Sequence, residues 1–182
     1  MTKIVLTGGG TAGHVMPHIA MLQAYKKVGW EIIYVGSFGI EKALIEKENI
    51  PYFAIQTGKL RRYFSFRNLS DLFRIVWGFA QSVYLLIKIR PDLVFSKGGF
   101  VSVPVAFAAW ILRIPVVSHE SDLTPGLANR LIAPICRFLF YAFPDTRALI
   151  RVKASAEAGI PVRPSLYRGD KDRGLGFCGF KP

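Results

Sequence analysis

The segment Thr7-Gly8-Gly9-Gly10-Thr11-Ala12-Gly13-His14 follows the apolar run Ile4-Val5-Leu6 and precedes a helical pattern. This order of strand, glycine turn and helix constrains the chain more than any other feature. Consecutive glycines let a backbone take positive φ and approach a ligand with no Cβ in the way, and the leading N–H groups of the next helix face the same point. A phosphate or diphosphate is the natural occupant of such a turn. His14 stands at the rim, where its imidazole reaches whatever the phosphate is attached to. The arrangement predicts chemistry beside a phosphate rather than phosphate binding alone.

The rest of the chain repeats the strand-to-helix alternation. Strands are predicted at 3–6, 31–35, 52–56, 93–96, 116–118 and 138–141, and helices at 14–28, 40–47, 69–89, 103–112 and 127–133. Strands apolar on both faces and separated by helices imply an α/β fold, a Rossmann-like parallel sheet with helices on both faces. Residues 1–164 read as one domain. From residue 165 the chain turns polar and glycine-rich, and 165–182 reads as a linker.

In an open parallel sheet, ligands bind beyond the carboxyl ends of the strands, where strand order reverses. Three loops mark that edge: Gly8 to His14, then Ser96-Lys97-Gly98-Gly99-Phe100-Val101-Ser102, then Ser118-His119-Glu120-Ser121-Asp122 through Gly126-Leu127-Ala128-Asn129. Turn-forming residues gather between strands and helices for purely local reasons, but here groups able to do chemistry accompany every turn. Gly8 to Gly13 also satisfies G-x-G-x-x-G. A dinucleotide site wants an acid at the end of the second strand, and Glu31 lies at its beginning, which counts against that reading. His14 and His18 are spaced i, i+4 as metal ligands can be, but Val15 and Pro17 replace the expected pattern, so no metal is predicted. His18 reads as packed or capping, and His119 as a satisfied histidine at a strand end.

Of the 182 residues, 51% are hydrophobic and 20% charged, with a formal net charge of +12, so the chain should fold and attract polyanions. Nucleic acid, an anionic membrane and a phosphorylated substrate all fit that charge. Lys59, Arg61, Arg62 and Arg67 interleave with Phe64 and Phe66, and Phe73, Trp77, Phe79 and Tyr84 follow. This suits a bilayer interface. It also suits single-stranded nucleic acid, but no nucleic-acid motif appears elsewhere, so the membrane surface is favoured. No run approaches the roughly 20 apolar residues of a spanning helix, and the N-terminus lacks a signal-peptide pattern, which predicts a cytosolic location. Cys136 and Cys178 read as plain thiols.

Gly8 to His14 with Pro17, Lys97-Gly98-Gly99-Phe100-Val101-Ser102, His119-Glu120, Gly126-Leu127-Ala128-Asn129 and Gly159-Ile160-Pro161-Val162-Arg163 occur in an order that strongly resembles the MurG family. These are bacterial N-acetylglucosaminyltransferases that convert lipid I to lipid II. The likeness covers essentially the whole chain and implies the N-terminal, acceptor-binding half of a two-domain GT-B enzyme on the cytoplasmic face of the membrane, without cofactor, nucleic acid or essential metal. The resemblance further implies that a donor-binding domain is missing from this sequence and that this half is inactive alone. It implies that His14 is the general base, assisted or oriented by Glu120. It assigns the glycine loops, with Gly9, Gly10, Gly98 and Gly99, to the diphosphate of lipid I, Thr11, Ala12, Gly13, Asn129 and Arg163 to UDP-N-acetylglucosamine, and Ser102 to substrate binding. Ala12, Phe100 and Ser121-Asp122 depart from residues common in the family. The reading from another class is a noncatalytic module holding an anionic lipid or a nucleotide.

Overall fold

The computed structural model describes residues 1–58 and 67–180. Seven parallel strands form one sheet in the order β3-β2-β1-β4-β5-β6-β7: β1 (Lys3–Thr7), β2 (Glu31–Gly36), β3 (Tyr52–Ala54), β4 (Leu93–Ser96), β5 (Val116–Glu120), β6 (Phe138–Tyr141) and β7 (Ser155–Glu157). The order reverses between β1 and β4, whose register runs Ile4↔Leu93 to Thr7↔Ser96. The glycine loops leaving these neighbouring strands therefore emerge side by side.

Side-chain alternation along the strands divides the core into two layers. Ile4, Leu6, Ile32 and Tyr34 pack under α1 (Met16–Lys27) and α2 (Ile40–Glu46), while Val5, Ile33, Val35, Val94 and Val116 pack under α3 (Arg67–Ile89), α4 (Ser102–Ile111) and α5 (Leu127–Ile132). Gly78 of α3 is a contact point, because a Cβ there would lie 1.8 Å from the Gln56 carbonyl oxygen. The same helix is tied by Gln81 Oε1, which accepts from Gln56 N at 2.7 Å.

The structure corrects several expected boundaries. The first helix does not begin at His14: residues Ala12–His14 form a 3-10 turn, and α1 starts at Met16 with Pro17 in its first turn. The strand expected at 116–118 runs on to Glu120, because His119 and Glu120 pair with Phe140 and Tyr141. Two short elements escaped the sequence reading, α6 (Thr146–Leu149) and β7. Inside the segment expected to be a linker lies α7 (Lys171–Cys178), capped by Asp170, which accepts from Arg173 N at 3.0 Å, and ended by Gly179 at φ 70°. None of the α7 side chains is buried.

Candidate functional site

Of the three glycines after β1, only Gly10 takes positive φ, at 84°. Gly8 and Gly9 are required for packing inside the protein. A Cβ on Gly8 would sit 2.9 Å from the His14 carbonyl oxygen, and one on Gly9 would sit 2.6 Å from Glu41 Oε1. Gly98 and Gly99 in the second loop have φ of 86° and 80°. The two loops touch: a Cβ on Gly99 would lie 2.3 Å from the Gly9 carbonyl oxygen and 3.2 Å from His14 Nδ1, and one on Gly10 would meet the Phe100 ring at 2.4 Å. The structure thus brings Gly9, Gly10, Gly99 and His14 together.

His14 closes the 3-10 turn and is half-buried, with Nδ1 at 3.0 Å from Thr11 Oγ1. Thr11 makes no side-chain bond to the amides of the turn it precedes. Burial, and then the neighbouring Lys97 ammonium, hold the imidazole below its usual 6.5, against the opposing pull of Asp122 and Glu120. The ring is accordingly neutral at pH 7, the form a general base needs.

Lys97 was passed over as a site residue, although it stands in the second loop. The residue is 2% exposed, its ammonium donates to Ser121 Oγ, and burial lowers its pKa to about 8. It lies against the first loop, with its Cβ 3.3 Å from a Cβ built on Gly8. A lysine beside paired glycines was the available signal.

Glu41 was also missed, and its position revises the argument against a dinucleotide. An acid does reach the carboxyl edge beyond β2, but it is fully buried: Oε1 accepts from Ser37 N at 3.0 Å and from Ser37 Oγ, and Oε2 lies 3.4 Å from Gly10 N. A carboxylate so engaged braces the glycine loop and is not presented to ribose hydroxyls.

The third loop is organised around Glu120, 4% exposed at the end of β5. Its Oε1 accepts from Asp122 N at 2.9 Å, and its Oε2 accepts from Gly126 N at 3.0 Å and Asn129 Nδ2 at 2.9 Å. Asn129 also donates to the His119 carbonyl at 3.3 Å and accepts from Ser118 Oγ at 3.1 Å, while its amide packs where a Cβ on Gly98 would stand. Both side chains hold the loop in place. Ser102 is equally internal, its hydroxyl donating to the Gly99 carbonyl at 2.8 Å. Thr11 and Gly13 are exposed on the rim, with Ala12 half-buried between them.

The other two histidines are buried and bond main-chain carbonyls through Nε2, but neither is fully satisfied: the buried Nδ1 of each has no hydrogen-bond partner among the described residues. His18 is fully buried, its Nε2 3.1 Å from the Thr7 carbonyl and its ring edge-on to Tyr34 and Phe95, and burial lowers its pKa to about 3. His119 Nε2 bonds the Gly159 carbonyl at 2.8 Å, and burial lowers its pKa to about 4. Arg163 lies on exposed chain four residues beyond Gly159, and no hydrogen bond or ion pair among the described residues ties it to the glycine loops. Lys59, Arg61, Arg62, Phe64 and Phe66 lie outside the described residues, as does the Arg67 side chain.

Beside His14 an apolar slot of about 310 Å³ opens between helices, lined by His14 and Gly99 together with Ile75 of α3, Val103 of α4, and Leu127 and Leu131 of α5. The outer face of α3 exposes Phe73, Val76, Trp77, Tyr84 and Ile87, and Trp110 and Ile111 at the end of α4 are exposed as well. Among the described residues no helix is long and apolar enough to cross a membrane.

Residues 4–140 match the glycosyltransferase family 28 N-terminal domain. A curated relative from Clostridium perfringens (strain 13 / Type A), named "UDP-N-acetylglucosamine--N-acetylmuramyl-(pentapeptide) pyrophosphoryl-undecaprenol N-acetylglucosamine transferase", is 52% identical over 180 residues, covering 98% of this chain and 50% of its own length. The protein of that name from Clostridium botulinum (strain 657 / Type Ba4) is 50% identical over 182 residues, covering 100% of this chain and 51% of its own length. The crystal structure of Acinetobacter baumannii MurG is similar in fold, with a TM-score of 0.75 at 23% identity over 92% of this chain and 48% of that one. The chain spans about half the length of the curated relatives it matches.

Proposed function

This chain belongs to glycosyltransferase family 28 through its N-terminal domain, and from that membership we propose that it is the acceptor-binding half of a peptidoglycan N-acetylglucosaminyltransferase. The acceptor is lipid I, an undecaprenyl diphosphate bearing N-acetylmuramyl-pentapeptide, and the donor is UDP-N-acetylglucosamine. Residues 1–164 bind the acceptor, and 165–182 lead toward a donor-binding half. The observation that carries this reading is the His14 imidazole at the junction of two interlocked glycine loops.

In the proposed reaction the diphosphate of lipid I lies against the loops at Gly9–Gly10 and Gly98–Gly99, near the buried Lys97 ammonium. His14 takes the proton of the muramyl 4-hydroxyl as its oxygen attacks C1 of the donor sugar. UDP leaves from the opposite side, so the anomeric centre inverts. Thr11, Ala12 and Gly13 face the donor from the rim. Glu120 and Asn129 act by positioning the third loop, in keeping with the hydrogen bonds they make within the protein. Arg163 is a donor contact made only once the second half closes over the site.

The test is reconstitution. Alone, the chain is expected to bind a lipid I analogue and transfer no sugar; with a donor half supplied in trans or fused, transfer to that analogue appears. Failure to bind the analogue would remove the acceptor assignment, and binding without transfer in the reconstituted enzyme would favour a noncatalytic lipid-binding module.

The exposed apolar face of α3 supports a peripheral seat on the cytoplasmic side of the membrane, with rings at headgroup depth and the chain's excess of cations on anionic lipid. Phe73→Ser with Trp77→Ser is expected to weaken binding to phosphatidylglycerol vesicles by about tenfold, read by cosedimentation, and added salt should weaken the unmodified chain too. Unchanged cosedimentation would place the contact elsewhere.

A further inference from the structure

We propose that the apolar slot beside His14 seats the isoprene units of the acceptor that adjoin its diphosphate. This rests on the acceptor reading above and adds a subsite for the hydrocarbon, separate from the outer α3 face that lies on the bilayer. The slot's lining includes His14 and Gly99, the same residues that meet where the two glycine loops touch. An amphiphile with its anionic head against those loops can thus send its tail between α3, α4 and α5.

The lining decides the chemistry of the occupant. Ile75, Val103, Leu127 and Leu131 supply walls, and among the described residues His14 and Thr57 are the lining residues with polar side-chain atoms. A uracil, a sugar or a peptide stem in this space would bury amides and hydroxyls with few partners, at a cost in each unpaired group. A branched hydrocarbon buries none. The far end also fits a lipid: Leu127 is 61% and Leu131 41% exposed at the mouth, and Val76 and Trp77, next to Ile75 in α3, face outward. An apolar path therefore runs from the imidazole to the surface that meets the membrane, letting the sugar-diphosphate reach His14 while the remaining prenyl chain stays in the bilayer.

The experiment titrates this chain with methyl diphosphate and with farnesyl diphosphate, the latter below its micelle-forming concentration and without vesicles, by calorimetry and NMR. Farnesyl diphosphate is expected to bind at least about tenfold tighter, since several buried methylenes distinguish the two probes. Intermolecular NOEs should join its methyl groups to Ile75, Leu127 and Leu131. Val103→Trp, which fills the slot, should erase the preference. Should that variant fail to fold by circular dichroism, Leu131→Glu at the exposed rim should reduce the preference about tenfold, since it puts a charge beside the hydrocarbon. Equal affinity for the two probes, or NOEs confined to the Trp77 ring, would overturn the slot and leave the acceptor reading standing. If neither probe binds, both fall together.

Discussion

His14→Ala, in the chain reconstituted with a donor half, is expected to lower the rate of sugar transfer by about 10²–10⁴-fold, the range for loss of a general base, with little change in acceptor affinity. The measurement is kcat against KM for a lipid I analogue. A variant retaining more than a tenth of the activity would exclude His14 as the base. The pH profile supplies an independent check. A base works when neutral, so activity should fall on acidification as the ring gains its proton. Because burial and the Lys97 ammonium both disfavour that proton, the fall should come below pH 6.5. Lys97→Met removes the second of these influences and should move the acid limb upward. The same direction should appear in the His14 ring signals of the isolated chain by NMR, and an unmoved titration would dissociate the two residues.

Gly99→Ala is expected to cost about 3 kcal/mol or more of stability, seen as a lowered urea midpoint. Two independent penalties meet at that residue. Its φ of 80° is one that L side chains rarely adopt, and its added methyl would stand 2.3 Å from the Gly9 carbonyl oxygen, a backbone atom that cannot swing aside. By contrast, Gly126→Ala has open space around it and ordinary φ, and should be near neutral. If the two substitutions cost the same, the close approach of the loops is not what the geometry says it is.

The sequence carried the sheet and its two cores clearly, because Ile4-Val5-Leu6 and Ile32 to Val35 are apolar at every position, as strands covered on both faces must be. It was less informative where side chains are polar for structural reasons. His119 and Glu120 continue β5 although neither favours a strand, and only pairing with Phe140 and Tyr141 reveals it. The helix over Lys171–Cys178 was hidden by Gly174 and Gly176, which depress helix propensity, although Asp170 and Gly179 stand where a cap and a stop belong. Glu41 was overlooked because nothing near it in the sequence announces that a residue five positions past β2 folds back onto the first glycine loop. Asn129 and Ser102 carry groups suited to ligand contact, and the hydrogen bonds that also tie them into the loops could not be read from the sequence.

The contact between the two glycine loops bears on how affinity is divided. Gly9 against Gly99, Gly10 against Phe100 and Gly99 against His14 leave no room for either loop to shift by itself. The cost of ordering them is met during folding, so in the proposed reaction a diphosphate would meet a preorganised surface with the imidazole at a fixed height above it.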